Sequence, residues 1–358
     1  MGIKNLTKFL KTKYPQIFRQ VNLSYFQHKK IAIDISIYIC RFKVSHGVNW
    51  LDALLKMVIC LRKHNIHCIF VYDGGFPVEK NAEHNKRKMT RQRNLDRINN
   101  LQNEINEYIK SGTTTKNLET IMEVYYLQSK SPSGRILLPF SSNQHIKIDV
   151  DIIKFKIEKM KRYIFSITPN DYEISKILLN ILSIPWVVAT MEAETLCSDL
   201  CIQNKVDAVL SEDSDVFAYG NPSTIIHINI FEETCTIINY SDIIESMHLT
   251  SDSFLDFCIM CGSDYNMNIP KIGVERSYAY ISQYKSIEYF SESTHIDVSS
   301  LKYNEVRNIF RNYTSVINFD VPHCSIPDYD SLKLFIFKHN IITNFESIKN
   351  CFSKNTLE

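Results

Sequence analysis

The sequence predicts an α/β protein: a mainly parallel central sheet flanked by helices, a helical cap inserted into it, and a helical C-terminal region. Three observations predict it. Two short apolar runs rich in Ile, Lys30-Ile-Ala-Ile-Asp-Ile and His67-Cys-Ile-Phe-Val-Tyr-Asp-Gly-Gly, each stop at an aspartate, with about 30 residues between them. From Glu79 to about Phe165 the chain turns polar and charged. From about Ser241 onward it reads as mostly helical.

The two apolar runs read as buried strands. Leu51, Leu54, Leu55, Val58 and Leu61 recur at helical spacing between them and supply a crossover helix. Strand, helix and strand in that order indicate a βαβ unit and a parallel sheet, whose carboxyl edge is where such proteins place their chemistry. Thr168-Pro-Asn-Asp opens a helix with a capping box and a proline at its first position. Ile184-Pro-Trp-Val-Val reads as a strand, Met191-Glu-Ala-Glu opens a helix, and Val206-Asp-Ala-Val-Leu is a strand ending in Ser211-Glu-Asp-Ser-Asp. Ile225 to Ile230 and Cys235 to Ile238 form a further strand pair.

The cap carries two basic helices. Residues 80–97 hold Lys80, Lys86, Arg87, Lys88, Arg91, Arg93 and Arg97 against Glu83 and Asp96, a net of +5. Lys80, Arg87 and Arg91 share one face. Ile152 to Arg162 adds Lys154, Lys156, Lys159, Lys161 and Arg162. Ser111-Gly-Thr-Thr-Thr and Ser131-Pro-Ser-Gly read as loops between them. A solvated surface helix is the plain reading of any one basic run. Two of them, inserted between strands that end in carboxylates, point to a polyanion.

Composition sets outer bounds. The 358 residues are 44% hydrophobic and 22% charged, which excludes a disordered or collagen-like chain. The net charge of +2 excludes a histone-like polycation but leaves room for a local basic stripe. Ten cysteines at irregular spacing, with no secretory signal in Met1-Gly-Ile-Lys-Asn-Leu, predict buried thiols in a reducing compartment. Cys258 and Cys261 lack a zinc-finger partner pair and sit in an apolar run, so core packing is their expected role. No stretch approaches the roughly 20 apolar residues of a bilayer span, so no membrane partner is expected.

Acids collect at strand ends and the turns beyond them: Asp34, Asp73, Glu192, Glu194, Asp213, Asp215 and Asp264. A lone aspartate there is commonly a helix cap. The pairs Glu192 with Glu194 and Asp213 with Asp215 ask for more. If all seven converge, either their pKa values rise or cations neutralise them. An all-oxygen set without Cys or His suits Mg²⁺ or Mn²⁺ and argues against zinc. Acids beside basic helices suit phosphodiester chemistry, in which two metals act on an in-line displacement and Lys or Arg neutralises the phosphate.

The chain resembles the flap-endonuclease/XPG family of structure-specific 5′ nucleases over nearly its whole length. Four blocks carry the resemblance. Met1-Gly-Ile-Lys-Asn-Leu with Ile31-Ala-Ile-Asp-Ile-Ser-Ile-Tyr is the first, and Phe70-Val-Tyr-Asp-Gly-Gly with Pro77 and Lys80 to Arg87 the second. The third is Ile184-Pro-Trp, Met191-Glu-Ala-Glu and Ser211-Glu-Asp-Ser-Asp-Val-Phe-Ala-Tyr-Gly. Gly262-Ser-Asp-Tyr-Asn with Ile269-Pro-Lys-Ile-Gly is the fourth. Met-Glu-Ala-Glu and Asp-Ser-Asp-Val-Phe lean to the XPG branch, and the short layout to flap endonucleases.

The resemblance implies a PIN-like 5′ nuclease core. Residues 1–79 and 166–350 would form one composite nuclease domain, 80–165 a basic arch, and about 262–285 a helical hairpin that grips duplex DNA. Glu192, Glu194 and Asp73 would hold one Mg²⁺, and Asp213, Asp215 and Asp264 the other. Asp34 would hold water at the metals. Lys80 and Arg87 match the family's two cations at the base of the arch, in contact with the scissile phosphate. Gly2 would lie near the active site, and Tyr38 would either stack on a base near the cut or pack in the core. Lys86 and Arg91 would bind DNA from the arch, and Gly273 and Arg276 from the hairpin. Lys271 stands where the hairpin has a glycine and Val274-Glu275 where it has Pro-Lys, at the part of the motif associated with a bound monovalent ion.

The implied activity is Mg²⁺-dependent cleavage of 5′ flaps, bubbles or junctions, with a 5′ exonuclease activity alongside, by a monomer acting on DNA. Arg87 and Glu192 are 105 residues apart, a longer cap than a typical flap endonuclease has. No C-terminal sliding-clamp motif is evident. Composition rich in Ile, Asn, Lys and Tyr suggests an AT-rich genome and a large DNA virus, hence action in the nucleus or at a cytoplasmic replication site. Two other classes compete. A non-catalytic DNA scaffold would lack some of the seven acids. A small-molecule phosphohydrolase would want a second Asp two residues after Asp34, where Ser36 stands. A ribonuclease with the same two-metal site stays open.

Overall fold

The computed structural model describes residues 2–129, 148–162, 164, 167–312 and 317–353. The chain divides into two compact units. Met1–Phe42, Val48–Glu83 and Ile167–Glu358 form the larger, and Lys43–Gly47 with His84–Ser166 the smaller.

Seven strands build the sheet of the larger unit: β1 (Arg19–Asn22), β2 (Lys30–Asp34), β3 (His67–Tyr72), β4 (Trp186–Val188), β5 (Ala208–Leu210), β6 (Ser223–Asn229) and β7 (Thr234–Asn239). Their order is β1-β7-β6-β5-β2-β3-β4. The five from β6 to β4 run parallel, while β7 pairs antiparallel with β6 and β1 antiparallel with β7. β2 therefore lies between β5 and β3, so the exits of the central strands open on one edge.

Side-chain alternation on the buried strands feeds two cores. Ala32, Ile69 and Val71 point into one, and Ile31, Ile33, Cys68, Phe70 and Tyr72 into the other. Helix α1 (Leu6–Lys13) precedes the sheet. The crossover from β2 to β3 holds two helices where the sequence suggests one: α2 (Ile35–His46) and α3 (Trp50–Lys63), separated by a short 3₁₀ turn over Gly47–Asn49. By length and composition alone the run Ile35–Lys63 is apolar enough to cross a bilayer, contrary to the sequence expectation. More than half of that window is buried inside the fold, with Leu51, Leu54, Leu55, Met57, Val58 and Leu61 in the second core.

The smaller unit carries most of α4 (Asn81–Ser111), with α5 (Lys116–Ser129) and α6 (Val150–Arg162). Ile98, Leu101 and Ile105 of α4 meet Leu118, Ile121, Met122, Ile153 and Ile157 in a core of their own. Before Ile98, α4 buries no residue, so its basic first half is surface. The expected loop at Ser131-Pro-Ser-Gly lies outside the described residues.

The rest of the larger unit begins with α7 (Pro169–Ile181), where the expected capping box forms: Asp171 N donates to Thr168 Oγ1 and Thr168 N to Asp171 Oδ2. Then come α8 (Ala193–Ile202), α9 (Asp215–Ala218), α10 (Tyr240–Met247), α11 (Ser251–Cys261), α12 (Val274–Tyr284), α13 (Ile287–Thr294), α14 (Tyr303–Asn312), α15 (Tyr329–Lys338) and α16 (Phe345–Ser353). All ten cysteines are free thiols, and Cys258 and Cys261 pack in the first core.

Candidate active site

Six of the seven acids are delivered by a strand exit or a helix start, and Asp264 by the loop after α11. Asp34 ends β2, is buried, and accepts from Ser36 N at 3.0 Å. Asp73 follows β3. Its Oδ1 accepts from Ala193 N at 2.9 Å and its Oδ2 from Ser36 Oγ at 2.6 Å, so one carboxylate ties the start of α8 to the start of α2. Gly74 makes this possible. A Cβ there would fall 1.8 Å from Ala189 O, and the amides of Gly74 and Gly75 donate to Met191 O. The chain beyond β3 is thereby laced to the one beyond β4, bringing Asp73 beside Glu192 and Glu194.

Glu192 is the N-cap residue of α8 and Glu194 lies in its first turn. Tyr265 OH donates to Glu192 Oε2 at 2.6 Å, Tyr219 OH lies 3.3 Å from Tyr265 OH, and Thr195 Oγ1 donates to Tyr219 OH at 3.0 Å. Asp213 and Asp215 follow β5, and Asp215 N donates to Asp213 Oδ1 at 3.2 Å. Asp264 lies in the loop after α11.

One ammonium joins the set. Lys80 Nζ donates to Glu192 Oε1 and lies 3.7 Å from Glu194 Oε1 and 3.4 Å from Asp264 Oδ2. Glu194 and Asp264, expected on different metals, thus share a neighbour. Burial works against the charge on Lys80, but Glu194 and Glu192 outweigh it and push its pKa up. The acids carry the opposite strain. Burial lifts the Asp34 carboxyl well above the usual range, and the Asp73 charge adds to it. Burial does the same to Glu194 and Asp215, each with Asp213 as the next cause, and to Asp213 itself.

Three buried carboxylate oxygens accept no hydrogen bond. Glu194 Oε1 and both carboxylate oxygens of Asp215 are buried and meet no donor. A buried anionic oxygen without a donor is costly unless a cation satisfies it. Among the described residues no three Asp, Glu, His or Cys side chains close around one point at coordination distance. Glu192, Glu194 and Asp264 have the Lys80 ammonium as their shared neighbour. Hard oxygen donors, two carboxylates with unsatisfied oxygens and raised carboxyl pKa values fit a hard metal cation.

Gly2 abuts this cluster. A Cβ built on it would lie 2.0 Å from Asp213 Oδ1 and 2.8 Å from Asp215 Oδ1. Lys86, Arg87 and Arg91 lie on the exposed first half of α4. Gly273 is the N-cap residue of α12 with open space around it, and Arg276 Nη1 donates to Lys271 O at 3.0 Å. Lys271 takes the left-handed φ of 64° that suits a glycine. Tyr38 is a correction to the stacking alternative. It is 1% exposed with its ring 5.9 Å from that of Phe42, so its face is spent on the core and is closed to a base.

Sequence reasoning missed Ser36, Tyr172, Tyr219 and Tyr265. Ser36 Oγ touches Asp73 and lies 2.9 Å from Tyr172 OH. Tyr265 has a local signal, standing directly after Asp264 in Gly262-Ser-Asp-Tyr-Asn.

The XPG N-terminal domain matches residues 1–94 and the XPG I-region residues 183–264. A probable RAD2-like endonuclease of Invertebrate iridescent virus 3 is 35% identical, covering 95% of this chain and 94% of its own length. One from Invertebrate iridescent virus 6 is 33% identical over 99% and 92%. Flap endonuclease 1 of Zea mays is 28% identical over 100% and 90%. The catalytic core of Rad2 in complex with a DNA substrate matches at a TM-score of 0.66 and 17% identity, covering 97% of this chain and 99% of that one. Flap endonuclease-1 from Methanococcus jannaschii gives 0.60 at 20% identity, over 96% and 97%. The two structures speak for the fold, and the viral relatives carry the lineage. The chain belongs to the XPG and RAD2-like endonuclease family: it is a metal-dependent, structure-specific DNA nuclease, a hydrolase of phosphodiester bonds.

Proposed function

We propose that the protein uses two Mg²⁺ ions to cut DNA where duplex meets a 5′ single strand. The observation that carries this reading is the carboxylate set itself. Its acids come from the exits of four parallel strands and the loop after α11, with buried oxygens on Glu194 and Asp215 that no donor satisfies. Glu192, Glu194 and Asp73 would hold one ion and Asp213, Asp215 and Asp264 the other. Mn²⁺, equally content with oxygen, would substitute. Bound there, two such ions supply a nucleophile at neutral pH and stabilise the leaving oxygen.

The protein's own groups do the rest. Lys80, already among the carboxylates, neutralises charge on the scissile phosphate. Asp34 Oδ1 is fixed by Ser36 N and orients attacking water. Arg87 is the second cation for the scissile phosphate, and Lys86 and Arg91 hold DNA by phosphate contacts without regard to sequence. The free amides in the first turn of α12, with Gly273 and Arg276, hold duplex backbone. Ten free thiols and the iridescent-virus relatives support action in a reducing compartment on viral DNA, in the nucleus or at a cytoplasmic replication site.

The test is cleavage of 5′-labelled substrates by wild type and Asp215→Asn: a 5′ flap, a bubble, a nicked duplex, a four-way junction and an RNA flap, each with Mg²⁺ and with EDTA. Cutting at a DNA junction that needs Mg²⁺ and disappears in the variant is expected. Binding without cutting in Mg²⁺ and Mn²⁺ would make the protein a scaffold. Preference for the RNA flap would make it a ribonuclease.

A further inference from the structure

Three consecutive residues at the amino end connect the acid cluster to the hairpin. Gly2 abuts Asp213 and Asp215. Ile3 O accepts from Ser214 Oγ at 3.3 Å. Lys4 N donates to Gly262 O at 2.9 Å, where the loop from α11 to α12 begins. The Lys4 ammonium reaches on to Asn268 Oδ1 at 3.4 Å, and a Cβ on Gly262 would come within 3.0 Å of it. Asn268 in turn donates its amide nitrogen to Ile272 O at 3.0 Å, fixing the turn that leads into α12. Beyond residue 4, α1 stays attached to α12 through Tyr14 OH and Tyr278 OH at 2.8 Å and Lys13 with Glu275 at 3.6 Å.

Lys4 is exposed, yet its ammonium is held in place. Its hydrogen-bond partner is one neutral oxygen, Asn268 Oδ1. Among the described residues no carboxylate lies within ion-pair distance of Lys4, or of Lys8 and Lys11, which follow it at four and three residues' spacing. The charge is left for an anion. Surface lysines usually point freely into water, and this one instead sits over the loop that opens the hairpin.

We propose that Lys4 is a specificity-determining residue that binds a backbone phosphate of the duplex and so fixes how far from the hairpin the strand is cut. This rests on the nuclease reading above. Gly2 and Lys4 span at most about 7 Å of backbone, and the side chain adds roughly 6 Å, which keeps the phosphate within about four nucleotides of the acid cluster. Lys8 and Lys11 continue the path as ordinary surface contacts.

The experiment compares wild type, Lys4→Gln and Lys4→Arg. Binding to a duplex-flanked flap is followed in EDTA from 50 to 200 mM salt, with a single strand as control, and cut positions are mapped in Mg²⁺. Losing one phosphate contact lowers the slope of log K against log salt by about 0.9. Lys4→Gln is expected to show that change, weaken duplex binding about tenfold, leave single-strand binding alone, and spread the cut over neighbouring phosphodiesters. Its single-turnover rate at saturating DNA should fall less than twofold. Lys4→Arg should keep the slope and sharpen the cut again. An unchanged slope and cut position in Lys4→Gln would overturn the proposal, as would equal losses in both variants, which mark a packing role. Wild type that cuts nothing while Lys4→Gln still changes the slope would retire the nuclease reading and the ruler, and keep the phosphate contact.

Discussion

At the scale of single residues, Gly2 shows how little room the acid cluster leaves. Its φ of +78° is one that side chains avoid, and any Cβ would drive into Asp213. Gly2→Ala should therefore displace the Asp213 carboxylate while the fold survives. Cleavage is expected to drop on the order of 100-fold with an unchanged circular dichroism spectrum. Tyr265→Phe removes the donor that holds Glu192. Lost outer partners of metal ligands typically weaken metal binding about 10–100-fold, so half-saturation by Mg²⁺ should rise by that much in a metal titration. All seven acids were legible in the sequence because each stands at the end of an apolar run or the start of a helix. Tyr265 was not, because its partner Glu192 is 73 residues away and only folding brings the two together. Tyr38 could not be decided from spacing, since a helix next to the sheet presents one face to the core and another to the site.

At the scale of elements, the buried strands announced themselves by unbroken apolar runs, whereas β1 did not. Arg19-Gln-Val-Asn has no apolar alternation and is mostly exposed; its strand geometry comes from its pairing with β7. The stretch 321–328 is equally silent in the sequence, yet it straps the amino edge of the sheet. Lys30 Nζ donates to Val321 O, Cys324 N to His67 Nδ1, and Asp328 N to Ile181 O. The His67 contact requires a bare Nδ1. Burial first, then the nearby charge of Arg62 and the rings of His323 and His28 with Lys30, hold His67 down to about 4 from 6.5. The unfolded chain therefore takes up the proton first as pH falls. Stability is full above about 6.5 and drains as pH falls toward 4. Urea unfolding at pH 7.5 and pH 5 should show it, and His67→Gln should flatten the difference.

At the scale of the whole molecule, a second unit with its own core is inserted into the nuclease unit. The first half of α4 carries basic residues and buries nothing. Lys86→Ala with Arg91→Ala should weaken binding to substrates bearing a single strand. The salt slope should fall by roughly 0.7 per lost contact, the single-strand value, while binding to blunt duplex is unaffected. An equal loss on blunt duplex would remove these residues from any single-strand path.

The sheet order also sets a schedule for synthesis. Ile31 of β2 pairs with Ala208 of β5, and those partners are 177 residues apart. At roughly 5–20 residues per second, a ribosome delivers β5 on the order of ten seconds or more after β2. Through that interval the nascent chain holds an apolar strand with one side unclaimed, a template for wrong pairing with a neighbouring chain. The inserted helical unit is made within the same interval and can gather around its own core. The nuclease half must wait for its last central strand, so its yield in a cell depends on translation speed and on chaperones that cover the waiting edge.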